Sequence, residues 1–252
     1  MKELKDQIQK DILAFFKNEA VKILFILFAL DTILLLVHFI HKYYVFGDPN
    51  TTTWIAGILS STAFSITQDR SIAEYIQYFK EIFICLTLLI MALRNKSFIG
   101  WSILFLYFFA DDMFSIHEIL GLGLAESFNF PSIFGLRRED LGELTVTAVA
   151  GVIIFSLIIY GYLKENINGI RSKIVILFAM VLALVVFGVG VDMFDVLFDN
   201  FIIKGLLSAS EDFGEMIIMS LIVWKTNIWQ SLKTIEDWNK TYPGWKHSIY
   251  KP

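Results

Sequence analysis

"FFADDMFSIHEILG", residues 108–121, puts Asp111, Asp112, His117 and Glu118 inside one of the most apolar stretches of the chain. Ionisable side chains are ordinary on a water-facing helix and expensive on one that faces lipid. The fold therefore turns on which solvent surrounds this stretch. The composition points to lipid. Of 252 residues 56% are hydrophobic, 24 are Phe, and 18% are charged, against roughly 25% charged in soluble domains. The mean hydropathy is +0.62. Charges gather at the ends and in short connections, as they should in a membrane protein.

Other compositional features bound the possibilities. The net charge of −4 gives no reason to expect a nucleic-acid partner. Cys85 is the one cysteine, which excludes an intrachain disulfide and a Cys-rich metal motif. The first 22 residues hold five lysines and four acids, with no small-residue cleavage site before the apolar run. That run is read as a retained first span rather than a cleaved signal peptide.

A helix needs about 20 mostly apolar residues to cross a bilayer. Six segments qualify: 22–41, 75–93, 99–121, 144–163, 173–197 and 207–225. The second is the weakest, because Glu74, Gln77, Lys80 and Glu81 lie at its start; its first turns line a protein interior or sit at headgroup depth. The semi-polar stretch 52–67 reads as a re-entrant or surface helix. The expectation is one all-α polytopic membrane domain over residues 1–252. Segments 1–21 and 226–252 would be cytoplasmic interfacial tails, with apolar residues at helical spacing (Ile8, Ile12 and Phe15; Ile228, Leu232, Ile235 and Trp238). With the N-terminus inside, fifteen Lys and Arg fall on the inner side and six on the outer. By the positive-inside rule both termini are cytoplasmic, in a multi-pass protein of the plasma membrane. The lipid bilayer is its first partner, and a homo-oligomer is compatible with this reading.

The chain also repeats itself. "ADDMFS" (110–115) matches "GVDMFD" (190–195), and "EDLGEL" (139–144) matches "EDFGEM" (211–216). Asp112 then corresponds to Asp192, and Glu143 to Glu215. Asp31 in the first span and Glu74 at the start of the second form a fainter copy. The reading is three helical hairpins in parallel repeat, each with an Asp in its first helix and a Glu near the start of its second.

Under this topology the ionisable residues share the outer half of the bilayer, while the inner half is almost free of polar side chains. At 100° per residue Asp111, Ser115 and Glu118 form one stripe, Asp192, Asp195 and Asp199 a second, and Glu211 with Glu215 a third. Carboxylates so gathered repel one another, and a bound cation relieves both that repulsion and the cost of burial. Carboxylate with imidazole suits Zn, Mn or Fe; oxygen alone suits Ca. The expected metal ligands are Asp112, His117, Asp192 and Glu215. Glu118 and Asp195 stand behind them, and Glu143 is the general base toward a metal-bound water. Asp31, Asp111, Glu211 and Glu74 form a secondary polar network. Arg137 and Arg138 are candidates for an anion or headgroup, or for pairing with Glu139 and Asp140.

The function expected from this set is a metal-dependent intramembrane enzyme, a hydrolase of a lipid-like or membrane-associated substrate. The alternatives are a divalent-cation or proton-coupled transporter and an outward-facing sensor of a small ligand. The dry inner half argues against transport, and the repeat argues for it.

Overall fold

The computed structural model describes residues 19–46, 58, 61–133, 137–191, 198 and 200–231. All regular elements among them are helical. In chain order they are α1 (Glu19–Phe46), a 3-10 turn (Thr62–Phe64), α2 (Ile72–Arg94), a second 3-10 turn (Lys96–Phe98), α3 (Ile99–Phe114), α4 (Ile116–Ser127), α5 (Arg138–Lys164), α6 (Asn168–Val185), a π-helical segment (Val186–Val191) and α7 (Phe201–Ser231).

Five segments are long and apolar enough to cross a membrane: Glu19–Val45, Ile72–Arg94, Lys96–Phe114, Arg138–Lys164 and Asn168–Gly188. The surface agrees, since Leu93 is 82% exposed and Phe79 76%. Apolar side chains spread this widely over a surface make sense where hydrocarbon is the solvent. The chain is a polytopic all-α membrane protein.

Three expected spans take a different form. The weak second candidate is a full helix, α2. Ser71 Oγ accepts the Glu74 N–H at 3.3 Å, and the Glu74 carboxylate accepts the Arg70 N–H. This exchange at the helix start satisfies donors that have no partner within the helix. Lys80 and Glu81 are buried, so the early turns of α2 do line a protein interior. The third candidate, 99–121, is not continuous: it breaks at Ser115 into α3 and α4. The sixth, 207–225, lies in the 31-residue α7 and is not among the five apolar spans. Within 52–67 the described residues are Ile58 and 61–67, which hold the short turn Thr62–Phe64. Of the expected tails, 1–18 and 232–252 lie outside the described residues, and α7 runs on to Ser231.

The chain divides into two compact units. The first comprises Tyr78–Ala179, together with the segment from Gln230 onward. Its buried residues include Ile84, Leu88, Trp101, Phe105, Ile158 and Leu177. Helices α3 and α5 meet at Gly100, where an added Cβ would lie 2.9 Å from Ile158 Cγ1. Ser102 Oγ donates to the Cys85 carbonyl at 3.0 Å, tying α3 to α2.

The second unit comprises the chain up to Gln77 and Met180–Trp229. Ile66, Ala73, Ala209 and Met216 form its small apolar core, with Leu34, Leu35 and Phe213 against it. Two buried polar contacts cross this unit. Ser220 Oγ donates to Asp31 Oδ2 at 2.6 Å. His38 Nδ1 accepts the Ile66 N–H at 3.2 Å and lies 3.3 Å from Ser65 Oγ.

Candidate functional site

The break between α3 and α4 builds the most distinctive polar centre. Ser115 sits at φ 48° and ψ 47°, in the left-handed region, and its N–H closes α3 on the Asp111 carbonyl. Helix α4 then starts afresh, and its first N–H groups need acceptors. Asp111 supplies one: its Oδ1 accepts the His117 N–H at 2.8 Å. The other carboxylate oxygen, Oδ2, lies 3.0 Å from His117 Nδ1. Nδ1 is not aligned for a hydrogen bond, so that contact is electrostatic. A carboxylate facing Nδ1 favours the proton on that nitrogen and leaves Nε2 as the basic one. Asp111 is 6% exposed, whereas His117 is only half-buried. The imidazole is thus held on one edge and open on the other.

Three further groups surround the pair. The buried Tyr107 hydroxyl makes no hydrogen bond among the described residues, with Asp111 and Thr147 in its electrostatic environment. Glu118 is exposed and Glu143 half-buried, and both act electrostatically on His117. Glu143 is brought there by two glycines. A Cβ on Gly121 of α4 would lie 2.7 Å from Glu143 Cα, and one on Gly142 of α5 would lie 2.7 Å from the Gly121 carbonyl carbon. The two backbones touch, which only glycine permits.

The helix break changes several sequence-based expectations. Asp111, Ser115 and Glu118 do not share a stripe, because left-handed Ser115 interrupts the helical phase between them. Asp111 turns inward, while Asp112 is exposed and its carbonyl accepts the Tyr78 hydroxyl at 3.0 Å. Asp111, placed in the secondary network from the sequence, is His117's direct partner. Arg137 is engaged within its own turn: its Nη2 and Nε donate to Asp140 Oδ1 at 2.7 and 3.1 Å, and its N–H donates to Asp140 Oδ2 at 2.8 Å. The Asp140 carboxylate holds the guanidinium pKa above its ordinary value. Arg138 is exposed.

The remaining candidates belong to the second unit. Asp31 is fully buried on Ser220 and Glu74 caps α2, as described above. Glu211 and Glu215 are half-buried on α7. Glu215 Oε1 lies where a Cβ on Gly188 would fall, and Gly214 packs on the Phe187 ring. Asp192, Asp195 and Asp199 lie outside the described residues. Among the described residues no three His, Cys, Asp or Glu side chains form a group able to hold a metal ion.

One polar centre was absent from the sequence reading. Glu165, 5% exposed, accepts from Asn95 Nδ2 at 2.7 Å, Ser97 Oγ at 3.0 Å and the Ile167 N–H at 2.8 Å. It clasps the α2–α3 turn to the α5–α6 turn. Burial works against ionisation there, but the three donors outweigh it and hold the carboxyl below the ordinary glutamate range. The signal in the sequence was "NKS" (95–97), where Asn95 Oδ1 caps the turn through the Ser97 N–H at 2.8 Å.

Fold and buried charges together define a membrane-embedded helical protein with a polar centre at a broken helix. The chain belongs to the family described as "Domain of unknown function (DUF8692)", whose model matches residues 79–230. No curated protein and no solved structure matches it.

Proposed function

We propose that this protein is a membrane-embedded enzyme, a hydrolase of a lipid-like or membrane-associated substrate, with His117 as its proton-accepting group. The observation that carries the reading is the Asp111–His117 pair: one carboxylate holds both the backbone and the ring of His117 and leaves Nε2 on the open side. An imidazole so oriented can take a proton from water or a substrate hydroxyl near neutral pH. Glu143 and Glu118 would stabilise the imidazolium that forms. Imidazole and carboxylate are also the donor types a divalent ion prefers, although the described side chains here supply no group of three that could hold one.

The test joins activity to metal content. Purified protein in detergent is assayed on a panel of fluorogenic fatty-acyl esters and phospholipids, as wild type, His117→Gln and Asp111→Asn. The reading expects hydrolysis of at least one class, reduced about 10²–10⁴-fold in His117→Gln. Undiminished hydrolysis in that variant would overturn the role of His117. Elemental analysis of the same samples would show near-stoichiometric Zn, Mn, Fe or Ca, lost in His117→Gln, if the centre holds a metal. The helix break also supports a second reading, a proton-coupled transporter, since transporters build sites at interrupted helices. No hydrolysis by the wild type, with His117-dependent flux in proteoliposomes under a pH gradient, would favour it.

A further inference from the structure

The face of α5 away from His117 carries a second feature. Between Leu141 and Ile153 lies a shallow apolar groove of about 610 Å³, walled at one side by Phe130 and Pro131 and floored by Leu144, Ala148 and Val152. At 100° per residue these positions fall within an arc of about 80° on one face of α5. Glu143, which faces the polar centre, and Ile154 and Ile158, which are buried, lie on the other side of the helix. The groove is thus directed away from the polar centre, and it is not that centre's substrate channel.

Its length and its upper end identify an occupant. Twelve residues of rise span about 18 Å, close to one leaflet of a hydrocarbon core roughly 30 Å thick. That is the depth of a single lipid chain. Arg138 lies in the first turn of α5, within the arc of the helix that lines the groove, and it is exposed. Among the described residues it makes no ion pair, in contrast to Arg137, whose guanidinium is taken up by Asp140. An apolar groove alone gives little preference in a bilayer, because the displaced lipid tails are equally apolar. Selectivity has to come from the head end, and there a free guanidinium favours a phosphate oxygen.

We infer that α5 carries a binding site for an anionic phospholipid, with one acyl chain in the 141–153 groove and the phosphate on Arg138. This inference does not depend on the role of His117. The test is native mass spectrometry of the detergent-purified chain titrated with phosphatidylglycerol or with phosphatidylcholine. The site predicts retained phosphatidylglycerol, about fivefold over phosphatidylcholine. Retention should fall by a similar factor in Arg138→Gln, persist in Arg138→Lys, and fall in Ala148→Trp, which fills the groove from an exposed helical position. Unfolding temperatures of the variants separate loss of lipid from loss of fold. Equal retention of the two lipids, or unchanged retention in Arg138→Gln, would overturn the inference. Retention unaffected by Ala148→Trp, or abolished by millimolar inorganic phosphate, would also overturn it, since either means an anion site in which the chain plays no part.

Discussion

The contact between α4 and α5 offers a sharp internal control, because α4 carries two glycines two positions apart in opposite situations. A Cβ at Gly121 would lie 2.7 Å from Glu143 Cα and 2.8 Å from Glu143 Cγ, while a Cβ at Gly123 would meet nothing within 4 Å. Replacing either glycine by alanine gains helix propensity, about 1 kcal/mol. At Gly123 that gain stands alone. At Gly121 the new methyl strikes backbone, which no side-chain rotation relieves, so the helices must part by roughly 1 Å and forfeit a quarter to a half of their contact attraction. Overpacking of this kind costs about 1–3 kcal/mol, and rigid backbone on both sides places Gly121 at the upper end. The expected net effects are a loss of about 2 kcal/mol for Gly121→Ala and a gain of about 1 for Gly123→Ala. At about 2–4 °C per kcal/mol for a chain of this size, the first lowers the unfolding temperature by roughly 4–8 °C and the second raises it by roughly 2–4 °C. Circular dichroism melts in one detergent read both, and the shared detergent makes the difference between them the robust quantity. If Gly121→Ala melts at or above the wild type, the backbone contact that places Glu143 beside His117 is not there.

Three other perturbations test separate parts of the structure. Ser115→Gly should stabilise the chain by about 1 kcal/mol, because a left-handed residue costs an L-amino acid roughly 1–2 kcal/mol that glycine does not incur; a lower melting temperature would mean that the break is not at Ser115. For Glu165 the folded pKa is depressed, so its stabilising contribution is present above the ordinary glutamate range and is lost as pH falls through the folded value. Melts at neutral pH should therefore show Glu165→Gln destabilised by about 1–3 kcal/mol, the strength of a hydrogen bond to a charged group, with the gap to the wild type closing below about pH 4. His38→Asn should keep most of the stability, since its Oδ1 can accept the Ile66 N–H in place of Nδ1, whereas His38→Phe strands that buried donor at a cost of about 1–3 kcal/mol; equal melting temperatures for the two would remove the hydrogen bond from the account.

The apolar architecture was legible because hydrocarbon as solvent imposes length and composition on every segment that crosses it. Spans one, three, four and five could be counted by that rule alone. Helix α2 was harder. Its polar first turns read as ambiguous, and only burial shows that Lys80 and Glu81 face protein. The similarity of "EDLGEL" to "EDFGEM" marks one local function, since Gly142 and Gly214 are both packing glycines. Their partners differ: Gly142 meets Gly121, nine residues after Asp112, while Gly214 meets Phe187, five residues before Asp192. The matched words therefore do not sit in one helix-to-helix register. Sequence similarity reports the small residue a close approach needs, but not which turn of the neighbouring helix it approaches.

The pair Asp111–Asp112 shows the remaining gap most clearly. Adjacent residues on a helix differ by 100° in azimuth, and apolar patterning around them fixes which one is buried only while the helix continues. Here Ser115 ends α3 four residues after Asp111, so the chain beyond it has a new direction and a new set of unpaired N–H groups. A carboxylate one turn before the break can reach those groups; Asp112, rotated away, cannot. The capping demand of α4 thus selects Asp111, and the same bond carries His117 with it, because the capped N–H is His117's own. That coupling yields a last prediction. Asp111→Asn keeps an oxygen for the His117 N–H but removes the charge beside Nδ1, so the fold should survive with a cost near 1 kcal/mol while the imidazole loses the carboxylate that favours its Nδ1–H tautomer. Asp111→Ala removes both and should cost more, about 1–3 kcal/mol. Nitrogen-15 shifts of the His117 ring read the tautomer directly. A ring unchanged between wild type and Asp111→Asn would show that Asp111 caps the helix and does nothing for the histidine.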